Sequence, residues 1–441
     1  MTSALSTDLY QLTMMAGYVR TGLTPRATFE LFVRRLPPHR KYLVCAGLDP
    51  ALEYLEQLRF TAPEIDYLRK VPELQNAPAS FFDVYLPRFR FTGDVFAMRE
   101  GTVAFDHEPL VQVSAPLPEA QLVETALLAI VSFQSSVASR ASRVVTAAEG
   151  RPVIEFGTRR AHGPEAGAFA ARAACLAGCV ATSNLDAGRR WEIPVAGTMA
   201  HSWVLAHDTE GEAFRAFTSI SGEHAVLHED TSDTATALDR LIAAGLRPSA
   251  IRLDSGDLAA LAHDARARLD RAGLTGTKVI GSGDLDEHRI RELLRSGAPY
   301  DGFGVGSAIS AVTDLPSLSA VYKLVEIDRD GTPQPVMKRS PGKATLPGRK
   351  QVWRVMNGGT AARDLIALHG EAPPDRAEPL LLPVMRNGRR TGPPPTLRDA
   401  QTRCREQVAA LPADVVRIDG ERTYSVERSA GLLALIERAG G

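Results

Sequence analysis

IRLDSGDLAALAHDARARLDRAGLTGTKVIGSGD, residues 251–284, runs from an apolar segment into a polar turn, through a helix-spaced stretch ending at Gly273, and back into a second apolar segment with a similar turn. An apolar run that lacks period-two alternation reads as a strand covered on both faces, as in a parallel sheet. The glycine after ARLDRA reads as a left-handed helix stop. The same unit recurs outward from this stretch. VIEFGTRR (153–160), VATSN (180–184) and VAGTMAHS (195–202) precede it and FGVGS (303–307) follows, while Gly178, Gly245 and Gly297 end other helix-like runs. Val153, Ile154, Val195, Ile251, Leu253, Val279 and Ile280 are therefore expected to be buried strand residues. Repetition of strand, polar turn, helix and glycine predicts an α/β chain whose parallel strands close into an irregular β/α barrel. Its six polar strand ends then gather on one face, where barrel enzymes carry their chemistry.

Outside this region the pattern changes. LYQLTMMAGYV and ALEYLEQL have helical spacing, ATFELFVRRL is strand-like, and FRFTGDVFAMREGTVAFDHEPLVQVSAP reads as several strands with turns at Gly93, Gly101 and Pro109. A helical segment from about 118 to 143 leads into the barrel. Beyond it, YKLVEI and QVWRVM return to strand character around a basic loop, RSPGKATLPGRK, and are expected to complete the first domain's sheet. The predicted organisation is an α+β domain at 1–117 completed by 322–369, a β/α barrel at 118–321, and a small C-terminal extension at 370–441 with proline-rich stretches and a helix at REQVAALP.

At 441 residues the chain is long enough for two or three domains, and its formal net charge of −1 provides no sequence-wide basic field for nucleic acid. Cys45, Cys175, Cys179 and Cys404 form no CxxC pair, and Cys175 and Cys179 read as small apolar residues one helical turn apart rather than zinc ligands. An N-terminus with Asp8 and no apolar run, and no stretch of membrane-spanning length, predict a soluble cytoplasmic protein with no membrane partner.

The polar strand ends suggest phosphate chemistry. Gly281-Ser282-Gly283 and Gly304-Val305-Gly306-Ser307 are late turns of the barrel whose backbone N–H groups suit an anion. Asp254 and Asp257 follow another strand. Two carboxylates there could take ribose hydroxyls or Mg²⁺, and helix N-capping is the plainer role for Asp257. Arg159 and Arg160 follow Phe156-Gly157; on an extended strand only one of them would enter the site, as a carboxylate or phosphate clamp, the structural alternative being an ion pair with Glu165. His201, beside Ser202, stands among the other polar ends.

These residues carry a resemblance. TDLYQLTM, FELFVRRLP, EFGTRRAHGPEAG, GTMAHSW, IRLDSGDL and SPGKATLPGRKQVWR, in this order from about residue 7 to residue 354, resemble the nicotinate phosphoribosyltransferase group of the type II phosphoribosyltransferases, which includes the nicotinamide and quinolinate enzymes. The resemblance implies transfer of phosphoribose from 5-phosphoribosyl 1-pyrophosphate to nicotinate, forming nicotinate mononucleotide and pyrophosphate, with ATP hydrolysis driving the reaction and Mg²⁺ accompanying ATP and the donor. It also implies a homodimer with shared active sites.

Carried over by motif, Phe156 and the neighbouring subunit's Tyr10 stack on the two faces of the pyridine ring. Arg159 meets the ring carboxylate or phosphate, Arg252 and Asp254 hold the phosphoribosyl group, and Gly281, Ser282, Gly283, Gly304, Gly306 and Ser307 cradle its 5-phosphate. Arg34 resembles a residue that reaches across the dimer to the phosphates, with a solvated strand charge as its alternative. Lys343, Arg349 and Lys350 are candidates for nucleotide or pyrophosphate contacts, and His201 matches the histidine that ATP phosphorylates. The nicotinamide enzyme carries an aspartate where this chain has Ser183, which implies a preference for the carboxylate substrate. Ala181 replaces a glycine common among relatives. Nicotinamide use and a catalytically silent phosphate-sensing barrel are the competing functions.

Overall fold

The computed structural model describes residues 3–37, 39–222, 226–228, 234–338, 340 and 344–440. It divides into two compact units: Met1–Ser136 with Ser317–Val416 and Gly420–Gly441, and Val137–Pro316 with Arg417–Asp419.

The second unit is built on six parallel strands in the order Ala181–Thr182, Val153–Glu155, Gly302–Val305, Lys278–Gly281, Ala250–Leu253 and Val226–His228. The first and last strands in sequence, Val153–Glu155 and Gly302–Val305, pair with each other. That pairing brings early and late strand ends together in a curled, half-barrel sheet that stays open between its first and last strands in the order. Between Val195, which makes an isolated parallel bridge to Thr182, and Val226 no strand pairing is present among the described residues; the Thr198 hydroxyl donates across this opening to the Val226 carbonyl. Helices such as Pro164–Leu176, Leu258–Arg271 and Glu287–Arg295 follow the strands, and Gly178, Gly245, Gly273 and Gly297 all have positive φ where those helices stop.

Val153, Ile251, Leu253 and Val279 are buried as expected, and Ile154 and Ile280 are partly so. Val195 is not: it is 54% exposed, because its segment makes a single bridge at the rim of the sheet and has no strand on its other side to cover it.

The first unit holds a seven-stranded sheet in the order Thr332–Pro335, Ala320–Arg329, Arg26–Val33, Pro109–Pro116, Asp94–Ala97, Leu382–Arg386 and Arg389–Arg390. Ala320–Arg329, which contains YKLVEI, pairs antiparallel with Arg26–Val33, so this sheet is discontinuous in sequence. QVWRVM falls in Lys350–Asn357, which instead belongs to a separate four-stranded sheet with Thr360–Leu368, Ala377–Pro379 and Val426–Arg428. The segment 117–147 forms two helices, Leu117–Leu122 and Glu124–Ala147. All four cysteines are buried and none is in a disulfide. No helix among the described residues is long and apolar enough to cross a membrane.

Candidate active site

The polar strand ends of the second unit open into two adjoining cavities. One, of about 310 Å³, is bounded by Phe156, Thr158, Arg159, Ser183, the 197–201 segment, Arg252 and Asp254. The other, of about 210 Å³, is bounded by Arg160, the 282–284 turn, Gly304, Gly306 and Ser307. Phe156, Arg159, Arg252 and Asp254 line both.

Each wall is held by local geometry. Phe156 continues the strand Val153–Glu155, and its N–H donates to the Val305 carbonyl at 2.9 Å. Its ring occupies the space a side chain at Gly304 would need. The Arg252 guanidinium lies 5.7 Å from the ring centroid, within cation–π range. That arginine is largely buried and held at two points: Nη2 meets Asp254 Oδ1 at 2.6 Å and Nε donates to Ser282 Oγ at 2.7 Å. Arg252, Asp254 and Ser282 thus form one preorganised triad across two adjacent strand ends.

The glycine turns differ in what they offer an anion. The Ser282 N–H is spent on the Leu253 carbonyl at 2.8 Å, and its hydroxyl lies within hydrogen-bond reach of the Leu253 carbonyl and Asp254. The N–H groups of Gly283, Asp284 and Gly306 meet no protein acceptor among the described residues and belong to residues that line the smaller cavity. Gly283 has φ +88°, and a Cβ there would overlap the Asp254 carbonyl oxygen, so the turn and Asp254 fix each other's place.

The two arginines of VIEFGTRR both line the smaller cavity, against the expectation that one would turn away. Thr158–Arg160 is a 3₁₀ turn and not extended strand, so successive side chains rotate by about 120° instead of 180°. Glu165 is paired with Arg190 at 3.1 Å. Asp257 caps the helix Leu258–Arg271, accepting from the Ala260 N–H at 3.2 Å, as its plainer role required. His201 is exposed, opens the short helix His201–Leu205 and lines the larger cavity.

The walls of both cavities consist of second-unit residues alone, whereas Tyr10, Arg34, Arg349 and Lys350 belong to the first unit. Tyr10, on the helix Leu9–Thr21, is 48% exposed, and its hydroxyl donates to Glu124 at 3.2 Å. Arg34 follows the strand Arg26–Val33, and its N–H donates to the Ser319 carbonyl. Lys350 is a correction: it is buried, pairs with Glu30 at 2.9 Å and donates to the Leu346 and Gly348 carbonyls, so it has no face toward a nucleotide. Arg349 is partly buried and donates to Gln112. Lys343 lies outside the described residues.

Several site residues were missed in the sequence. Glu155 is wholly buried beneath the aromatic wall. Burial pushes its carboxyl above the usual carboxylate range, against the opposing effect of hydrogen bonds from Thr182 and Gly157. Asp284, likewise unread, adds a carboxylate to the smaller cavity, and Arg160, read as an alternative to Arg159, adds a cation beside it. A charged residue inside the apolar run VIEF was the available signal for Glu155.

The arrangement suits a flat aromatic acid beside a phosphorylated sugar: an aromatic wall and an arginine in one cavity, exposed N–H groups and cations in the next. Among the described residues, no cluster of three His, Cys, Asp or Glu could hold a metal alone. Asp254 and Asp284 are the carboxylates lining the smaller cavity, and a Mg²⁺ carried by substrate phosphates typically takes only one or two protein carboxylates.

Comparison with known proteins bears on this arrangement. Residues 5–132 match the nicotinate phosphoribosyltransferase N-terminal domain, 152–349 the nicotinate phosphoribosyltransferase family, and 374–436 the nicotinate phosphoribosyltransferase C-terminal domain. The chain is 44% identical over 447 residues to a nicotinate phosphoribosyltransferase of Mycobacterium tuberculosis, covering 99% of this chain and 94% of that one. It is 43% identical over 380 residues to that of Bacillus subtilis, covering 83% and 76%. The crystal structure of human nicotinic acid phosphoribosyltransferase superposes with a TM-score of 0.86 at 28% identity, covering 99% of this chain and 100% of that one.

Proposed function

The chain belongs to the nicotinate phosphoribosyltransferase family, which acts in NAD salvage, and we propose that it joins nicotinate to 5-phosphoribosyl 1-pyrophosphate in an ATP-coupled reaction. The observation that carries this reading is the continuity of the two cavities through Phe156, Arg159, Arg252 and Asp254. A pyridine ring against Phe156 has its carboxylate within the domain of Arg159, and the ribose lies at Asp254 with its 5-phosphate at the 283–284 and 306–307 turns. Breaking the bond from C1 to the pyrophosphate oxygen leaves positive charge on the ribose, as in glycoside cleavage. The pyridine nitrogen attacks with its own lone pair, so no general base is required. The chain's residues orient the two reactants and stabilise charge. Mg²⁺ bound with the donor would supply charge neutralisation of the departing pyrophosphate. Arg252, fixed by Asp254 and Ser282, keeps its cationic charge beside the Phe156 ring without having to reorganise.

Mass analysis of products from nicotinate, nicotinamide and quinolinate, run in parallel with the same donor, tests reaction and substrate together. Nicotinate mononucleotide is the expected main product. Equal yield from nicotinamide would overturn the assignment, and a lack of any nucleotide would favour a silent phosphate-binding barrel.

In this reading His201 accepts the phosphoryl group of ATP. Its exposed position on the wall of the larger cavity lets the added negative charge act on a bound donor without entering the bond exchange. His201→Asn is expected to abolish ATP stimulation while slow ATP-independent transfer persists, measured as ADP released per nucleotide formed. Retention of full coupling by the variant would remove His201 from the role.

Tyr10 completes the pyridine pocket of a second subunit in a homodimer, its half-exposed ring being available for such a contact. Mixed Tyr10→Ala and Arg159→Ala subunits should regain activity, because a hybrid dimer contains one intact site. With subunit exchange demonstrated, a mixture no more active than its components would rule out sharing.

A further inference from the structure

The strand end that carries Phe156 and Arg159 and the strand end that carries Ser183 are tied together by a chain of buried side chains. Glu155 Oε1 accepts the Gly157 N–H, and Glu155 Oε2 accepts the Thr182 hydroxyl at 2.6 Å. Thr182 Oγ1 in turn accepts the Asn184 N–H at 3.0 Å. The Asn184 amide donates to Thr158 Oγ1 at 3.1 Å, and its oxygen caps the helix Leu185–Trp191 through the Ala187 N–H. The Ser183 N–H donates to the Glu155 carbonyl at 3.0 Å. Glu155, Thr182 and Asn184 are all buried. Gly157 leaves the room this requires, since a Cβ there would press on Glu155 Oε1 and the Ser310 side chain.

The chain begins one residue before Phe156, passes through the residues on both sides of Ser183, and ends at Thr158, next to Arg159. Parallel pairing of Val153–Glu155 with Ala181–Thr182 is only two residue pairs long, so the ladder by itself holds these ends loosely. We propose that the Glu155–Thr182–Asn184–Thr158 chain is a positioning device that sets the spacing between Arg159 and Ser183, and so determines how well the site accepts a carboxylate-bearing pyridine. This rests on the function proposed above. None of the four needs to touch the reacting atoms. Glu155, Thr182 and Asn184 are too buried to do so, and Thr158, although it borders the larger cavity, serves through its hydroxyl as the end of the chain.

The position lends itself to an isosteric test, because Thr182→Val keeps shape and loses the hydroxyl while Thr182→Ser keeps the hydroxyl. Thr182→Val is expected to raise KM for nicotinate by about tenfold, leave KM for the pyrophosphate donor within about twofold, and lower the nicotinate-to-nicotinamide ratio of kcat/KM by about fivefold or more. Thr182→Ser should remain within about threefold of the parent in all three. Calorimetric titration with nicotinate, and separately with pyrophosphate, should reproduce the split without turnover. If Thr182→Val does not fold, Thr158→Val, at a partly exposed position, carries the same expectation. Equal losses in the Val and Ser variants, parallel rises in both KM values, or a Val variant with parental nicotinate KM would each overturn the proposal. The parent enzyme serves as the control for the underlying function: if it turns over a different pyridine, the proposed substrate is wrong, and the same comparison on that pyridine still decides the role of the chain.

Discussion

Replacing Gly283 with alanine is expected to lower kcat/KM for the pyrophosphate donor by about a thousandfold or more, roughly 4 kcal/mol of lost transition-state stabilisation. Two independent features require glycine there. The backbone has φ +88°, which alanine adopts only under strain, and the added Cβ would overlap the carbonyl oxygen of Asp254. The obstacle is backbone and not the end of a flexible side chain, so relief requires moving the strand end itself. Asp254 would move with it, and Arg252 and Ser282 are bonded to Asp254 at 2.6 Å each. One methyl group therefore disturbs Asp254 and the 283–284 turn together, the two places to which the proposed function assigns the ribose and the 5-phosphate. Gly276→Ala is the matched control, because a Cβ there meets nothing within 4 Å, and it should retain parental kinetics. Steady-state kinetics in the donor, with melting temperatures for both variants, make the comparison. A Gly283→Ala enzyme that folds and loses less than about tenfold would show that this turn does not cradle the donor.

Ser183→Asp is expected to reverse substrate preference. Ser183 is exposed on the wall of the larger cavity, which it shares with Arg159, and its backbone is fixed by the hydrogen bond to the Glu155 carbonyl. A second carboxylate facing the substrate carboxylate at about 4 Å costs on the order of 4 kcal/mol at the effective dielectric of a partly desolvated site. The new aspartate would also compete for the Arg159 guanidinium, weakening the clamp from its other side. Nicotinamide is neutral and can donate an N–H to the aspartate, so it escapes the repulsion. The nicotinate-to-nicotinamide ratio of kcat/KM should fall by about a thousandfold. A change below about tenfold, or roughly 1.4 kcal/mol, would place the origin of selectivity at Arg159 or elsewhere.

Much of the site was legible before the structure because its parts are local. A βα turn that must expose N–H groups needs glycine at a particular place, so GSGD and GVGS announced themselves; a cap needs an acceptor one step before a helix, so Asp257 did too. The unread parts depended on neighbours distant in sequence. Val195 has the composition of a buried strand residue but lacks a covering partner. Lys350 belongs to a loop rich in cations, and only its burial against Glu30 distinguishes it from the others. Glu165 had Arg159 close in sequence yet pairs with Arg190 instead. QVWRVM is plainly a strand, but a strand's pattern does not name its sheet, and this one joins the four-stranded sheet.

What the sequence determined by itself was the repeating βα unit, the parallel sheet it builds, the placement of polar residues at strand ends, and the family whose motifs those ends spell out. Periodicity, turn chemistry and helix stops act over a few residues, so they are written locally. Tertiary structure alone decided which strand ends adjoin: Val153–Glu155 pairs with Gly302–Val305, and this sets Phe156 against Gly304 and Arg252. It alone also turned Glu155 from a charge inside an apolar strand into the anchor between two turns. A buried carboxylate is tolerated only where donors converge on it, and Gly157 and Thr182 converge there through the fold, not through their spacing in the chain.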